Sequence, residues 1–401
     1  MKRRRVKITG IGIISPAGNT FVDFGENISS GKSFVSVINR FPRDGGKFVA
    51  AEVKDFSIAH FTDSLVATRT PRHTQFAVAA SILALKHASL SREEVQELSP
   101  VVVTGTSLMD SEVINKTIEN VAKRGPRFAL ARVVFQGPVS SVSASVAEHI
   151  GGARTLTLQS ACCSGLDAIG RGAEIVGLGE SDIAICGGAG APIFYHPMLE
   201  LRMAGLSPAT SDSPEALCRP FDLWRTTGVI GEGACVCVIE PDSSPRRGLA
   251  YVKGYGFSTD HPSDFSKGLP QAIRICLSDA RTRSDEVAAI NAWGPGHREI
   301  DAMEAGSIHS VFGRLVKSIP VASIKGAIGN PFAAAGAMQV GSAVFGLNRA
   351  IFPPTVNWAV RDPACDLCLS GFSRHFSHRN VLVNAHGVSG TNACVLLEQC
   401  S

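Results

Sequence analysis

Short runs of β-branched and aliphatic residues alternate along the chain with longer alanine-rich segments, the pattern of strands alternating with helices. It predicts strands over Arg5–Thr9, Val101–Thr104, Thr155–Leu158, Ile183–Cys186, Cys235–Ile239, Val252–Tyr255, Val321–Ile324, Val381–Asn384 and Ala393–Glu398. Helices are predicted over Gln75–Ala88, Ser140–His149, Gly165–Val176, Leu269–Ala280, Ile300–Phe312 and Ala333–Asn348. No Pro/Gly/Ser linker and no charge run divides the chain.

The pattern also repeats itself. Thr155-Leu-Thr-Leu-Gln-Ser-Ala-Cys-Cys-Ser-Gly165 reads as a strand, a tight turn of small residues and the start of an Ala/Gly-rich helix, and Val321 to Gly336 follows the same plan. Val6-Lys-Ile-Thr-Gly-Ile-Gly and Tyr251-Val-Lys-Gly-Tyr-Gly are openings in one style. Two related α/β halves, 1–245 and 246–401, sharing one core are the simplest explanation.

Composition narrows the picture. With 44% apolar and 18% charged residues over 401 positions, the chain buries a sizeable core and is not disordered. A net charge of +4, from 39 basic and 35 acidic residues, excludes a general nucleic-acid binder while leaving room for a local basic patch. Forty glycines against three tryptophans and three tyrosines point to closely packed elements. Eleven cysteines without framework spacing, several in apolar runs, fit a reducing compartment. The basic start is followed by an apolar stretch broken at Gly10, Gly12 and Ser15-Pro16, too soon for a signal peptide. Phe332 to Leu347 contains Gln339 and is shorter than the roughly 20 residues of a membrane helix. A cytoplasmic protein without a membrane span is expected.

Ser160-Ala-Cys-Cys-Ser-Gly165 places two thiols at a strand-to-helix turn. A thiol there faces the positive end of the helix dipole, which lowers its pKa, and unpaired amides that can hold an oxyanion. Most cysteines are inert core residues, and it is the position at the turn that marks this pair as a candidate nucleophile.

These residues resemble the T-A-C-S-S-G nucleophile motif of the elongating β-ketoacyl-(acyl-carrier-protein) synthases of the thiolase superfamily, and the likeness runs from end to end. Arg5 to Gly18 is similar to that family's first strand and loop. Arg219-Pro-Phe-Asp222 and Gly231-Glu-Gly-Ala234 resemble its R-P-F-D and G-E-G-A blocks. Asn291-Ala292, Asp301 and Glu304 fall where N-A-H-G-T-x-T-P-x-x-D-x-x-E places them. Ser323 to Asn330 resembles S-T-K-S-x-x-G-H, and Asn384 to Asn392 resembles N-S-F-G-F-G-G-T-N. The resemblance implies a thiolase-like duplicated five-layer αβαβα fold. It implies acyl transfer from a carrier-protein thioester to Cys162, then decarboxylative extension by a malonyl unit in fatty-acid or polyketide-type lipid synthesis. The amides of Cys162 and Val388 would form the oxyanion hole, and Lys325, Asp301 and Glu304 a charged network behind the site. No cofactor is implied, the substrates riding on the phosphopantetheine of acyl carrier protein. The implied partners are that carrier protein and a second subunit, in a homodimer or a heterodimer with another ketosynthase. Arg69, Arg72, Lys123, Arg124, Arg127 and Arg202 are the candidate basic entrance for the carrier's acidic helix.

The departures carry as much information. Trp293 and Asn330 stand at the family's two histidines, which donate N–H to the oxygen that becomes the enolate. Asparagine keeps a donor, while indole donates but cannot shuttle a proton. Gly228 and Val388 replace phenylalanines, and His386 replaces another, so one side chain has grown where three have shrunk. That is the signature of a remodelled pocket. His297 and His386 arrive where the family has no histidine and could titrate near the thiol. Their positions assign His386 to the thiol and His297 to the carrier arm or malonyl end. A non-condensing partner of the chain-length-factor type, or an acyltransferase or hydrolase without decarboxylation, are the alternatives; in the family such partners usually lack the cysteine that Cys162 retains. Gly10-Ile-Gly12-Ile-Ile-Ser15 lacks the third glycine of a dinucleotide fingerprint, and the spacing of Cys365, Cys368, His375 and His378 is no usual zinc arrangement, so no metal is expected.

Overall fold

Ten strands hydrogen-bond into one sheet in the computed structural model, which describes residues 3–39, 41, 46–63, 69–107, 111–152, 154–210, 212–260, 266–375 and 379–400. The first five are β1 (Val6–Ile14), β2 (Val101–Gly105), β3 (Arg154–Leu158), β4 (Ala184–Gly190) and β5 (Gly233–Pro241). The second five are β6 (Ala250–Thr259), β7 (Ile290–Asn291), β8 (Val321–Ala322), β9 (Asn380–His386) and β10 (Thr391–Gln399). The sheet order is β8-β7-β9-β10-β6-β1-β5-β4-β2-β3. Counted outward from the centre, each half therefore runs first, fifth, fourth, second, third. In each half the first two pairings are antiparallel and the last two parallel. The repeated pattern in the sequence is a repeated topology. Within the sheet, among the described residues, the halves are joined where β1 pairs with β6, at Lys7 with Tyr251 and Ile8 with Ala250.

Helices complete the layers. On the first half lie α1 (Arg72–His87) and α2 (Ser141–Ile150), packed with alternate side chains of β5 such as Val236 and Val238. Between the halves lie α3 (Ser164–Leu178) and, from further along the chain, the long Ala333–Arg349 helix. Over the second half lie α4 (Gly268–Asp279) and α5 (Arg298–Phe312); the Ala333–Arg349 helix is α6. The glycine and alanine content finds its use where α3 crosses α6. A Cβ on Gly165 would stand 2.2 Å from Ala333 O, and one on Gly336 would stand 2.7 Å from Leu166 Cβ. Close backbone approach there lets two helices fill the narrow middle layer, with Leu166 wholly buried, a burial worth about 1.5–3 kcal/mol.

The expected elements all appear, with shifted ends. The strand expected over Val321–Ile324 stops at Ala322, because Ser323 turns inward to donate to Gly294 O and a short helix, Lys325–Ile328, begins. Helices Phe21–Ser29, Arg92–Leu98, Ser111–Arg124 and Tyr195–Met203 were not foreseen, nor was the small sheet of Ser36–Ile38, Phe48–Ala51 and Ile230–Gly231. Among the described residues, no helix is long and apolar enough to cross a membrane.

Candidate active site

The turn after β3 is held by hydroxyls. Ser160 N donates to Ser164 Oγ at 2.9 Å, Ser164 Oγ donates to Thr106 O at 3.1 Å, and Thr391 Oγ1 donates to Ser160 O at 2.8 Å. Ser160 Oγ and Tyr255 Oη both donate to the buried carboxylate of Asp167 on the first turn of α3. Within this frame Ala161 adopts φ +52°, a left-handed conformation costing about 1–3 kcal/mol in a residue with a Cβ. The strain is tolerated because both flanks are fixed, and it sets Cys162 at the mouth of α3. The amides of Cys162 and Val388 both act on its sulfur. That is the arrangement expected of an oxyanion hole.

The expectation of a lowered thiol pKa is overturned. Cys162 is 2% exposed, and burial pushes its pKa up to about 11 against the opposing pull of Lys325 and the two amides. Cys163 points elsewhere, donating to Thr391 O at 3.3 Å, and burial raises it well above its ordinary range.

Opposite the thiol, the loop 293–297 hangs from two buried carboxylates. Glu304 accepts from the amides of Trp293 (2.7 Å) and Gly294 (2.6 Å) and from Asn384 Nδ2 (2.5 Å). Asp301 accepts from the amides of Gly296 (3.1 Å) and Phe221 (2.7 Å). Both belong to α5, spaced three residues apart on one helix face. Burial raises both carboxyl pKa values, Asp301 to about 7. Neither forms an ion pair with Lys325, though both act on its charge through space, and neither lines the cavity. The cation nearest Asp301 is Arg225, its Nε 3.6 Å away, a wholly buried residue the sequence reading passed over.

Lys325 supports Trp293 instead. Its Nζ donates to Trp293 O at 2.5 Å and to Gln339 Oε1 at 3.3 Å, and lies 3.6 Å from the centre of the indole ring. Burial lowers its pKa to about 7, partly countered by Glu304 and Cys162. Gln339, on α6, also donates to the carbonyls of Asn291, Ala292 and Asn384 at 3.0, 2.9 and 3.1 Å. One polar residue of the middle helix thus stitches β7 to β9.

Seven of the ten residues singled out in the sequence converge on one cavity of about 30 Å³: Cys162, Gly228, Trp293, His297, Asn330, His386 and Val388. Leu206, Ile230, Pro295, Ile300 and Phe332 complete its wall and were not foreseen. Ile230 lies two residues beyond Gly228, and Phe332 two residues beyond Asn330, so proximity in sequence was the available signal. The space at Gly228 is not vacant: a Cβ there would come within 2.8 Å of Pro295 O. Pro295, in the loop 294–296, packs directly against Gly228. Val388 is 60% exposed, opening the mouth of the cavity rather than its floor. His386 is buried with Nδ1 2.8 Å from Asn392 Oδ1, and His297 caps α5, its Nδ1 accepting from Glu299 N at 3.3 Å.

Of the candidate basic entrance, Arg72 is withdrawn, being paired with the buried Glu232 at 2.7 Å. Arg202 donates to Lys47 O and stacks on Phe48, Arg124 stacks on Phe128, and Lys123 faces Glu119 at 3.6 Å. Arg69 and Arg127 are exposed. Among the described residues, no three His, Cys, Asp or Glu side chains are grouped to hold a metal ion, and His378 lies outside them.

Comparison with known proteins agrees with this geometry. Residues 3–244 match the family model "Beta-ketoacyl synthase, N-terminal domain" and 249–359 match "Beta-ketoacyl synthase, C-terminal domain". The 3-oxoacyl-[acyl-carrier-protein] synthase 2 of Coxiella burnetii is 30% identical over 100% of this chain and 99% of its own. The tetracenomycin polyketide synthase ketoacyl synthase alpha subunit of Streptomyces glaucescens is 30% identical over 91% of this chain and 89% of its own. Among solved structures, the ishigamide ketosynthase/chain length factor superposes with a TM-score of 0.93 at 28% identity, covering 100% of both chains. A type II PKS acyl-carrier protein in complex with its ketosynthase bound to the hexaketide gives 0.89 at 25% identity, again over 100% of both.

Proposed function

The chain belongs to the β-ketoacyl synthase family, and from that premise we propose that it is an acyltransferase loaded on Cys162 from an acyl-carrier-protein thioester. The observation that carries the reading is the strained turn at Ala161, which sets Cys162 under two amides in the cavity. Those amides stabilise the tetrahedral oxyanion of thioester exchange, the step common to loading and extension. Extension needs more. The enolate left by malonyl decarboxylation calls for donors at 293 and 330, where a buried indole and an amide replace two imidazoles. Loading is retained and decarboxylative extension is slow.

The carrier protein is the partner, as in the solved complex, and exposed Arg69 and Arg127 suit its acidic helix. The third strand β3 is a sheet edge, with Arg154 to Leu156 exposed, so a second copy or a related ketosynthase has unpaired backbone to add to. All eleven cysteines are unpaired, which suits the cytoplasm. A second reading, the chain-length-factor type of partner, is favoured by the replacement of both histidines and the likeness to a ketosynthase/chain length factor. Incubation with acyl- and malonyl-carrier proteins, followed by intact-mass spectrometry, separates the two: an acyl adduct on this chain supports the enzyme, and its absence beside an active partner subunit supports the other.

A further inference from the structure

A thiol that burial keeps protonated at neutral pH needs a base when it attacks. Two titratable groups besides the thiol line the cavity, His297 and His386, and three stand behind its wall, Lys325, Glu304 and Asp301. The two carboxyls are committed to the amides of the 293–297 loop. Lys325 Nζ is committed to Trp293 O, Gln339 Oε1 and the indole face. His297 Nδ1 accepts from Glu299 N, so in the neutral ring Nε2 carries the hydrogen and is a donor.

His386 carries the opposite tautomer, and its neighbours fix it. Asn392 Nδ2 donates to Asp260 Oδ2 at 3.2 Å and to Gly390 O at 3.1 Å, both of them acceptors. The amide therefore turns Oδ1 toward the imidazole, 2.8 Å from Nδ1. An amide oxygen only accepts, so Nδ1 carries the hydrogen and Nε2 keeps its lone pair. Asp260 is itself anchored, its Oδ1 accepting from Gly268 N at 2.7 Å and its amide donating to Gly390 O at 2.7 Å. Its Oδ2 lies 3.8 Å from His386 Nδ1. No hydrogen bond joins Cys162 Sγ to His386, but both line the same cavity of about 30 Å³. A single water needs about 10–15 Å³.

We propose that His386, oriented by Asn392 and Asp260, is the general base of acyl loading, taking the thiol proton of Cys162 through one water. The inference rests on the acyl-transfer reading above. As the S–H bond breaks, the proton passes to Nε2 and the thiolate attacks the thioester carbon. The oxyanion forms under the amides of Cys162 and Val388. On collapse the carbon–sulfur bond to the carrier breaks, and the departing thiolate recovers the proton from His386. No oxidant or co-reactant is consumed. The titratable or charged groups that face His386 among the described residues are Asp260 behind it and Cys162 and His297 in the cavity wall. Asn392 and Asp260 are positioning residues.

The test is single-turnover loading from an acyl-phosphopantetheine thioester, read by intact mass from about pH 5.5 to 9.5, a range spanning ordinary histidine ionisation. The wild type is expected to rise through a limb in the histidine range. His386→Gln is expected to lose about 100-fold, the lower bound of general-base effects, and to lose that limb. His386→Ala is expected to recover rate with added imidazole, and Asn392→Ala to slow while keeping the limb. A His386→Gln protein with wild-type rate and profile overturns the proposal. So does a slowed variant whose profile is unchanged and whose alanine counterpart ignores imidazole, since that marks a packing role. If the wild type loads no thioester, the acyl-transfer reading fails separately. Alkylation of Cys162 by iodoacetamide over the same pH range then decides the base: a histidine limb present in wild type and absent in His386→Gln supports it, and identical profiles overturn it.

Discussion

Each half of the molecule carries its third strand into a turn and then into a helix of the shared middle layer, yet the two turns do different work. After β3 the turn is minimal: Ser160 to Cys163 lead straight into α3, with one strained residue and every flanking hydroxyl bonded. After β8 the connection is longer, passing through Lys325–Ile328, Gly329 at φ +65° and Phe332 at φ +53° before α6 begins. The tight turn aims one thiol. The loose one delivers Lys325 beneath the indole and lays Asn330 and Phe332 along the cavity wall. A duplicated topology thus divides its labour through loop length. The tighter turn carries Cys162 of the motif that resembles the family's, and the longer connection carries Asn330 where that motif has histidine.

Removing the nucleophile breaks this comparison most severely. Cys162→Ala is expected to abolish the acyl adduct, while Cys163→Ala, whose thiol points to Thr391 O, still loads; peptide mapping of acylated protein checks both. Labelling that follows Cys163 instead would mean that the turn has been misassigned. Restoring the rebuilt side sharpens the comparison. Trp293→His combined with Asn330→His is expected to raise condensation at least about tenfold, a fraction of the roughly 2.7–4 kcal/mol that one oxyanion donor supplies, with loading little changed. Product analysis with malonyl-carrier protein decides it. The smallest effect is on stability. Gly228→Ala places a Cβ 2.8 Å from Pro295 O and is expected to destabilise the fold by about 1–3 kcal/mol, read by denaturant titration.

Most of the architecture was legible because buried strands and middle-layer helices announce themselves as apolar runs, and because two halves with one plan leave a repeated pattern. The amphipathic helix Ser111–Arg124 and the two- to four-residue strands of the small sheet escaped for the opposite reason, being polar on one face or too short to show a period. The site was legible where chemistry is local: the turn at Cys162 is a strand, small residues and a helix start. Burial was not. The same helix start that should lower the thiol pKa lies within the buried middle layer, and desolvation wins. Pairings across hundreds of residues were likewise hidden, so Lys325 was assigned to carboxylates when its partners are a carbonyl, an amide and an indole. His386 was found, but the Asn392–Asp260 support that fixes its tautomer becomes visible only when β6 and β10 lie side by side.

The central claim is that acyl transfer has been kept while the hardware for decarboxylation has been exchanged. Single-turnover kinetics tests it most directly, with acyl loading and malonyl-dependent condensation timed separately on the same preparation. The account predicts rapid accumulation of acyl-Cys162 and a condensation step slower by about 100-fold or more, the cost of losing at least one enolate donor. Equal, fast rates for the two steps would contradict it, because Trp293 and Asn330 would then serve the enolate as well as the imidazoles they replace.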